Sequence, residues 1–294
     1  MVSYILFPAL FNMPTDNFDP PLKLTIGRFV RFWREVHGLS QEELAFRLDS
    51  SQRHISRIEG GSGRPSEAMV KDIATVMELG QRDSNHLLIA AGYAPIVKQV
   101  DFHAPELKWL RKSMVMTLRA LDPYPTAILD SSGNFLMVNR GWVGFYQHNI
   151  DPKNLKQITN YYDFIFSREG AGNIISNWEN TLSVILMSLT QLGLFSNKEA
   201  DIALVQKLAQ HPSVPEDWKQ RAAQLEPMAS YRVQMQIDNA LRRFFSVIST
   251  VGALGPNAFV SEPNLSIQTL YPEDEDFDIS SFLDDKLEHP LLFY

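Results

Sequence analysis

Between Ser51 and Glu59 the chain reads Ser-Gln-Arg-His-Ile-Ser-Arg-Ile-Glu. Arg53 and Arg57 stand four apart and so share one side of any helix formed there. A guanidinium on that side can fork onto guanine O6 and N7, and the Gln52 amide can pair with adenine N6 and N7. Ile55 and Ile58 are the apolar positions that turn inward, which leaves Ser51, Gln52, Arg53, Ser56 and Arg57 facing outward. Ser40 and Gln41 open the preceding segment, where groups at a helix N-terminus suit phosphate better than bases. Arg64, just after Gly60-Gly61-Ser62-Gly63, is a further phosphate candidate. The bland alternative for each is a solvated surface side chain.

No catalytic grouping competes with this reading. The sequence holds no G-x-S-x-G elbow, no G-x-x-x-x-G-K-[ST] phosphate loop and no H-E-x-x-H. The glycines at 60–63 follow a helix and not a strand, so they stop the helix and do not cradle a nucleotide. His37, His54, His86, His103, His148, His211 and His289 show no metal-ligand spacing, and zero Cys removes disulfides, thiolate metal sites and a cysteine nucleophile. The expectation is a protein that is not an enzyme, with no catalytic residue, no metal and no resident cofactor.

The elements that must position the outward face are short helices. Ile26, Phe29, Val30, Trp33 and Val36 recur at three- and four-residue steps and predict an amphipathic helix ending at Gly38. Ser40-Gln41-Glu42-Glu43 is a capping box, and the helix it opens turns Leu44, Ala45 and Leu48 inward. Ser51 caps a third helix, Gln52 to Ile58, and Ser66 a fourth with Met69, Ile73, Ala74 and Met77 inward. His86 to Ala91 completes five. Two helices joined across a few polar residues in an all-helical unit form the helix-turn-helix pattern.

Leu39-Ser40-Gln41-Glu42-Glu43-Leu44-Ala45 and Ile55-Ser56-Arg57-Ile58-Glu59 through Ser66 resemble the phage-repressor (Cro-type, XRE) helix-turn-helix family. The resemblance implies that the second helix lies across the DNA backbone and the third enters the major groove. It also implies that Arg34 and Glu59 pair between the first helix and the end of the third. One recognition helix reads only a few base pairs, so a homodimer on a palindromic operator is expected. Trp33, the Glu106–Leu121 helix and the apolar second half are all candidate dimer surfaces.

After a linker at Pro95–Pro105, Glu106 to Leu121 reads as a helix with Leu107, Leu110, Met114 and Leu118 on one side. Ala127 to Asp130 and Asn134 to Asn139 flank Ser131-Ser132-Gly133, a hairpin signal, with a helix starting at Arg140. Residues 158–195 read as helical and apolar, and Arg232 with Gln234 to Phe245 as a further amphipathic stretch. Phe244–Val251 and Leu265–Pro272 read as strands closing a sheet with the hairpin. This hairpin resembles the opening of a PAS domain. Together with Ile175-Ser176-Asn177-Trp178-Glu179-Asn180 and the preceding helix-turn-helix, the whole resembles the MmyB-like (MltR-type) transcription regulators. That resemblance implies a PAS-like ligand-binding domain and suggests a long-chain fatty acid as ligand type.

Rings such as Tyr146, Phe164 and Trp178 can line an apolar cavity, with Asn139, Arg140 or Asn177 for a polar head group. Arg140 is the cation nearest such a cavity for a carboxylate. The plainer reading is that the rings are core and Asn139 a helix cap.

The chain has 294 residues, room for two domains, at 45% apolar and 21% charged. Its net charge of −7 is unevenly distributed. Residues 20–95 hold 10 Lys/Arg against 9 Asp/Glu, whereas residues 96–294 hold 17 against 23. The bulk acidity therefore says little about the DNA-reading half. The apolar stretch at 4–11 contains Pro8 and lacks a basic flank, so it does not read as a signal peptide, and no run is long enough to span a membrane. Expected, then, is a cytoplasmic, multidomain protein: an all-α five-helix domain over 20–95, an α+β PAS-like domain over 104–275, and an acidic, solvated tail over 276–294. The function expected is sequence-specific transcription regulation under control of a small hydrophobic ligand. The alternative is a constitutive DNA-binding regulator whose second half only dimerises or binds a protein partner.

Overall fold

A computed structural model describes residues 25–96, 101–196, 199–225, 232–251, 265–284 and 286–294. The apolar stretch at 4–11 and the first residues of the expected DNA-reading domain lie outside them. The chain divides into two compact units, residues 1–95 and 96–294.

In the first unit, α1 (Thr25–Val36), α2 (Gln41–Arg47), α3 (Gln52–Glu59), α4 (Glu67–Val76) and α5 (Gln81–Ala90) follow one another. The starts of α2, α3 and α4 are fixed locally. The Glu43 amide donates to Ser40 Oγ and the Ser40 amide to Glu43 Oε2, closing the capping box around α2. Ser51 and Ser66 accept from the His54 and Met69 amides at the heads of α3 and α4. Asp49, at φ 48°, turns the chain between α2 and α3. Ile26, Val30, Leu44, Ile55, Ile58, Ile73 and Leu87 are fully buried and form one core. On α4 the buried stripe is Val70, Ile73, Ala74 and Met77, while the expected Met69 is only partly covered. Val70 completes the i, i+3, i+4, i+7 row that one helix face requires.

In the second unit, α6 (Lys108–Leu121) leads into β1 (Thr126–Leu129), β2 (Phe135–Val138) and α7 (Arg140–Asn149). Then come α8 (Pro152–Gln157), α9 (Tyr161–Phe166), α10 (Trp178–Ser196), α11 (Glu199–Ala209) and α12 (Trp218–Gln224), before β3 (Arg232–Ile237), β4 (Ala240–Val251) and β5 (Leu265–Pro272). The five strands form one antiparallel sheet in the order β2-β1-β5-β4-β3. β1 is buried at every position because both of its faces are covered. Ala127 and Leu129 join the main core with Phe145, Phe164 and Leu186, while Ile128 packs with Met114 and Leu118 of α6 on the other side.

Three expectations are corrected. The stretch at 232–245 is a two-stranded hairpin. Val233, Met235 and Ile237 alternate inward with period two, and Asp238-Asn239, at φ 47° and 62°, form the tight turn. The apolar region 158–195 is not continuous helix: a turn carrying Gly170 and Gly172 separates α9 from α10.

The segment 276–294 is not a solvated tail. Ile279 and His289 are buried, and Phe282, Leu287, Leu291 and Leu292 pack on the main core. The Val138 amide donates to the Leu291 carbonyl, and Tyr294 Oη to Asp122. A Cβ on Gly144 of α7 would run into the Phe282 carbonyl, so the helix is shaped to receive this segment. The acidic run is held too, with Glu273 paired to Arg232 and Asp274 to Arg243.

Phe282→Ala should therefore lower stability by about 2 kcal/mol, roughly half the penalty for a fully buried phenylalanine. The check is the urea midpoint at unchanged slope, which a solvated tail would leave in place.

Candidate DNA interface and sensor cavity

The outward face of α3 is held from behind by one carboxylate. Glu59, whose side chain is completely buried, closes the last turn of α3. Arg34 of α1 forks onto it, Nε to Oε1 at 2.6 Å and Nη2 to Oε2 at 3.0 Å, and also donates to the Leu39 carbonyl. Gln41 Nε2 donates to the same Oε2 at 3.0 Å, and Arg31 stands 3.5 Å away. Burial alone would push the Glu59 carboxyl up, but the bonds from Arg34 and Gln41 and the nearby guanidinium charges outweigh it and hold the group below its ordinary value. One anion thus ties α1, the head of α2 and the end of α3 together. The backbones also approach closely, since a Cβ on Gly27 of α1 would collide with the carbonyls of Ile58 and Glu59. Sequence reasoning paired Arg34 with Glu59 but missed Arg31 and Gly27, whose only signal is their placement one helical turn or two before Arg34.

Gln52, Arg53, Ser56 and Arg57 are exposed, and among the described residues no hydrogen bond or ion pair engages the side chains of Gln52, Arg53 or Arg57. Ser51 and Ser40 serve as caps. Two phosphate candidates are already occupied. The Gln41 amide is committed to Glu59. Arg64 donates from Nε to the Ala91 carbonyl and from Nη2 to that of Gly92, with its guanidinium 5.1 Å over the Tyr93 ring. It pins the end of α5.

In the second unit a partly open space of about 40 Å³ lies between the sheet and α7, α9 and α10. An adjoining space of about 90 Å³ shares Tyr161, Thr181, Val233 and Ser246 as walls. Tyr146 and Phe164 line the first and Asn177 the second. Phe135, Trp142, Tyr146 and Phe164 meet edge-on or tilted, at centroid separations of 4.9–6.0 Å.

The other expected ligand contacts are elsewhere. Asn139 is wholly buried and structural: its Oδ1 accepts from the Thr126 and Trp142 amides and its Nδ2 donates to the Tyr124 carbonyl. Arg140 does not border either space; Nη2 donates to the Asp284 carbonyl. Trp178 also lies outside the cavity walls, its Nε1 donating to the Ile165 carbonyl and its ring stacked under Arg168 at 3.9 Å. Tyr161, one of the rings the sequence offers, is a wall of both spaces; the wall residues the sequence did not reveal, Ser246 and Gln268, come from β4 and β5. Gln268 Nε2 donates to Tyr161 Oη at 3.1 Å and to Ser246 Oγ at 3.4 Å.

A helix-turn-helix unit with an exposed third helix and an α+β second unit with a cavity beside its sheet are the architecture of a transcription regulator with a DNA-binding and a ligand-binding domain. A family model for a helix-turn-helix domain matches residues 25–87, and one for the MmyB-like transcription regulator ligand binding domain matches residues 110–276. The chain belongs to the MmyB-like transcription regulators. No curated protein matches it. Among the described residues no helix is long and apolar enough to cross a membrane.

Removing the Glu59 charge strands Arg34, so Glu59→Gln should cost about 3 kcal/mol. Because the folded-state pKa lies below the unfolded one, the wild-type contribution is complete above about pH 5 and is lost as pH falls through the lowered value. Denaturant titrations from pH 3 to 7 should show this acid sensitivity in the first unit and its flattening in the variant.

Proposed function

We propose that the chain is a sequence-specific transcription regulator, acting in the cytoplasm as a homodimer on a palindromic operator. A small hydrophobic molecule held in the second domain would control it, and no step of this reading calls for a catalytic group. The observation that carries the reading is the exposed outer face of α3: two arginines and a glutamine without partners among the described residues, on a helix whose inner end is fixed by a buried ion pair. Side chains so held can present donor pairs to base edges in the major groove with little further ordering. Control follows if ligand binds better to one arrangement of the two recognition helices than to another. A ligand indifferent to the two arrangements shifts nothing.

Duplexes from the protein's own promoter region should bind more tightly than scrambled duplex at physiological salt; equal affinity overturns the reading. Arg53→Ala should cost about 1–3 kcal/mol on the preferred sequence and relax the preference at one base pair. Fluorescence anisotropy against a set of single-base variants checks this, and a uniform loss across all of them would assign Arg53 to phosphate. A DNA affinity unmoved by hydrophobic extracts in delipidated protein would favour the constitutive alternative.

A further inference from the structure

Resting on the homodimer of the reading above, we propose that α6 supplies its self-pairing surface. The outer face of α6 lies antiparallel on that of a second copy, and each Trp109 reaches the groove that follows the other copy's α6. Four observations converge on this occupant. The first is a stripe. The inward side of α6 carries Met114 and Leu118, yet Trp109, Ser113, Met116 and Ala120 recur at steps of four, three and four on the side turned away, and all four are exposed. Trp109 is 72% and Met116 63% exposed. Such spacing is the seam along which two helices pack.

The second is size along that stripe. A two-fold axis midway between Ser113 and Met116 sets Trp109 beside the partner's Ala120 and Met116 beside the partner's Ser113, so large meets small at every step. Ser113 turns its hydroxyl back to the Leu110 carbonyl, which keeps an unmet polar group out of the seam. A parallel pairing would instead set Trp109 against itself and Lys112 against a second ammonium, and like charges so placed repel.

Third, each end of the face offers what the other lacks. α6 carries Lys108, Arg111, Lys112 and Arg119 and no acid. Arg111 is held by the Phe102 and Ala104 carbonyls, and Arg119 lies over the Tyr294 ring. Lys108 and Lys112 flank the Trp109 indole at 5.8 and 5.7 Å, with no carboxylate partner among the described residues. Just beyond the end of α6, an open groove of about 580 Å³ begins at Pro123. The Tyr124 and Tyr271 rings line it, their centroids 4.8 Å apart. Of the acids on its rim, Asp274 is committed to Arg243, while Glu275 and Asp276 are exposed and have no ion-pair partner among the described residues.

Fourth is direction. A helical side chain leans toward the N-terminus of its own helix. In the antiparallel pair the Trp109 indole therefore leans past the partner's Ala120 toward the partner's Pro123 and Tyr124, and Lys108 toward the acids on the same rim. Indole meets rings and ammonium meets carboxylates, twice over by symmetry.

Sedimentation velocity on the full-length protein, with and without duplex from its own promoter region, tests the surface, and the urea midpoint of each variant reports an intact fold. Trp109→Ala should raise the dimer dissociation constant about tenfold, and so should Lys108→Glu or the pair Glu275→Lys with Asp276→Lys. Lys108→Glu combined with that pair should regain most of the loss, because each copy then offers the other the reversed charges. Ser113→Cys, in a chain without cysteine, should cross-link two copies on mild oxidation, since the axis passes beside that position. A dimer unmoved by these substitutions, no recovery in the combined variant, or no cross-link overturns the surface and leaves the homodimer reading standing. Variants that weaken every duplex alike at an unchanged dimer constant would make α6 a DNA-backbone contact and overturn it as well. A wild-type chain that stays monomeric both free and on duplex takes down the homodimer reading and the proposal with it.

Discussion

The DNA-reading unit depends on taking one carboxylate out of water. A lone ionised carboxyl in an apolar interior is prohibitively costly, and Glu59 is tolerated only because a forked guanidinium, an amide and a second guanidinium surround it. The cost becomes a geometric specification. The partners that satisfy Glu59 sit on two other helices, Arg31 and Arg34 on α1 and Gln41 at the head of α2, so the last turn of α3 is held where both of them reach. An apolar contact at this position would tolerate sliding by a fraction of a turn; a bidentate pair of fixed planar shape does not. The outward arginines inherit that precision, since they ride on the same eight-residue helix.

The sensor unit is organised by the opposite device, an uninterrupted apolar surface that must be covered on both sides. β1 has no exposed position, and α6 on one face and the aromatic cluster on the other supply its cover. Asn139 then fixes where the sheet ends and α7 begins, by spending its whole amide on backbone groups of the β1 entrance and the α7 head. Large rings packed edge-on around short strands leave gaps among the described side chains, and the cavity is one such gap, rimmed with hydroxyls.

What the sequence revealed and what it hid divide along the range of the interaction. Caps are local, so the heads of α2, α3 and α4 could be read from Ser40, Ser51 and Ser66. The β1–β2 hairpin likewise announced itself through apolar runs around Gly133. The β3–β4 hairpin escaped because Arg232 to Phe245 satisfies a helical and a period-two pattern at once, and the arbiter, Asp238-Asn239, is a weaker turn signal than a glycine pair. The C-terminal segment was misjudged for a different reason. Its acids dominate the composition, while Ile279, Phe282 and Leu292, which decide its fate, are too sparse to show a period. The ligand contacts were hardest. Arg140 was suggested as the nearest cation and Trp178 as one ring among several, whereas the polar walls Ser246 and Gln268 come from β4 and β5, distant along the chain from the rings they meet.

The same long-range closure constrains how two copies could meet. A sheet edge with unpaired amides and carbonyls invites strand addition. Here both margins are occupied by the chain itself. On the β2 side the Phe135 amide donates to the Thr159 carbonyl and that of Val138 to Leu291. On the β3 side the Gln236 amide donates to the Ile174 carbonyl, and the Ser176 amide to that of Gln234. The segment that seals β3 also carries Ile175, a wall of the cavity, and is followed at once by α10. One short segment thus joins an edge strand, a wall of the cavity and the head of a long helix, so a displacement of that wall would be felt by all three together.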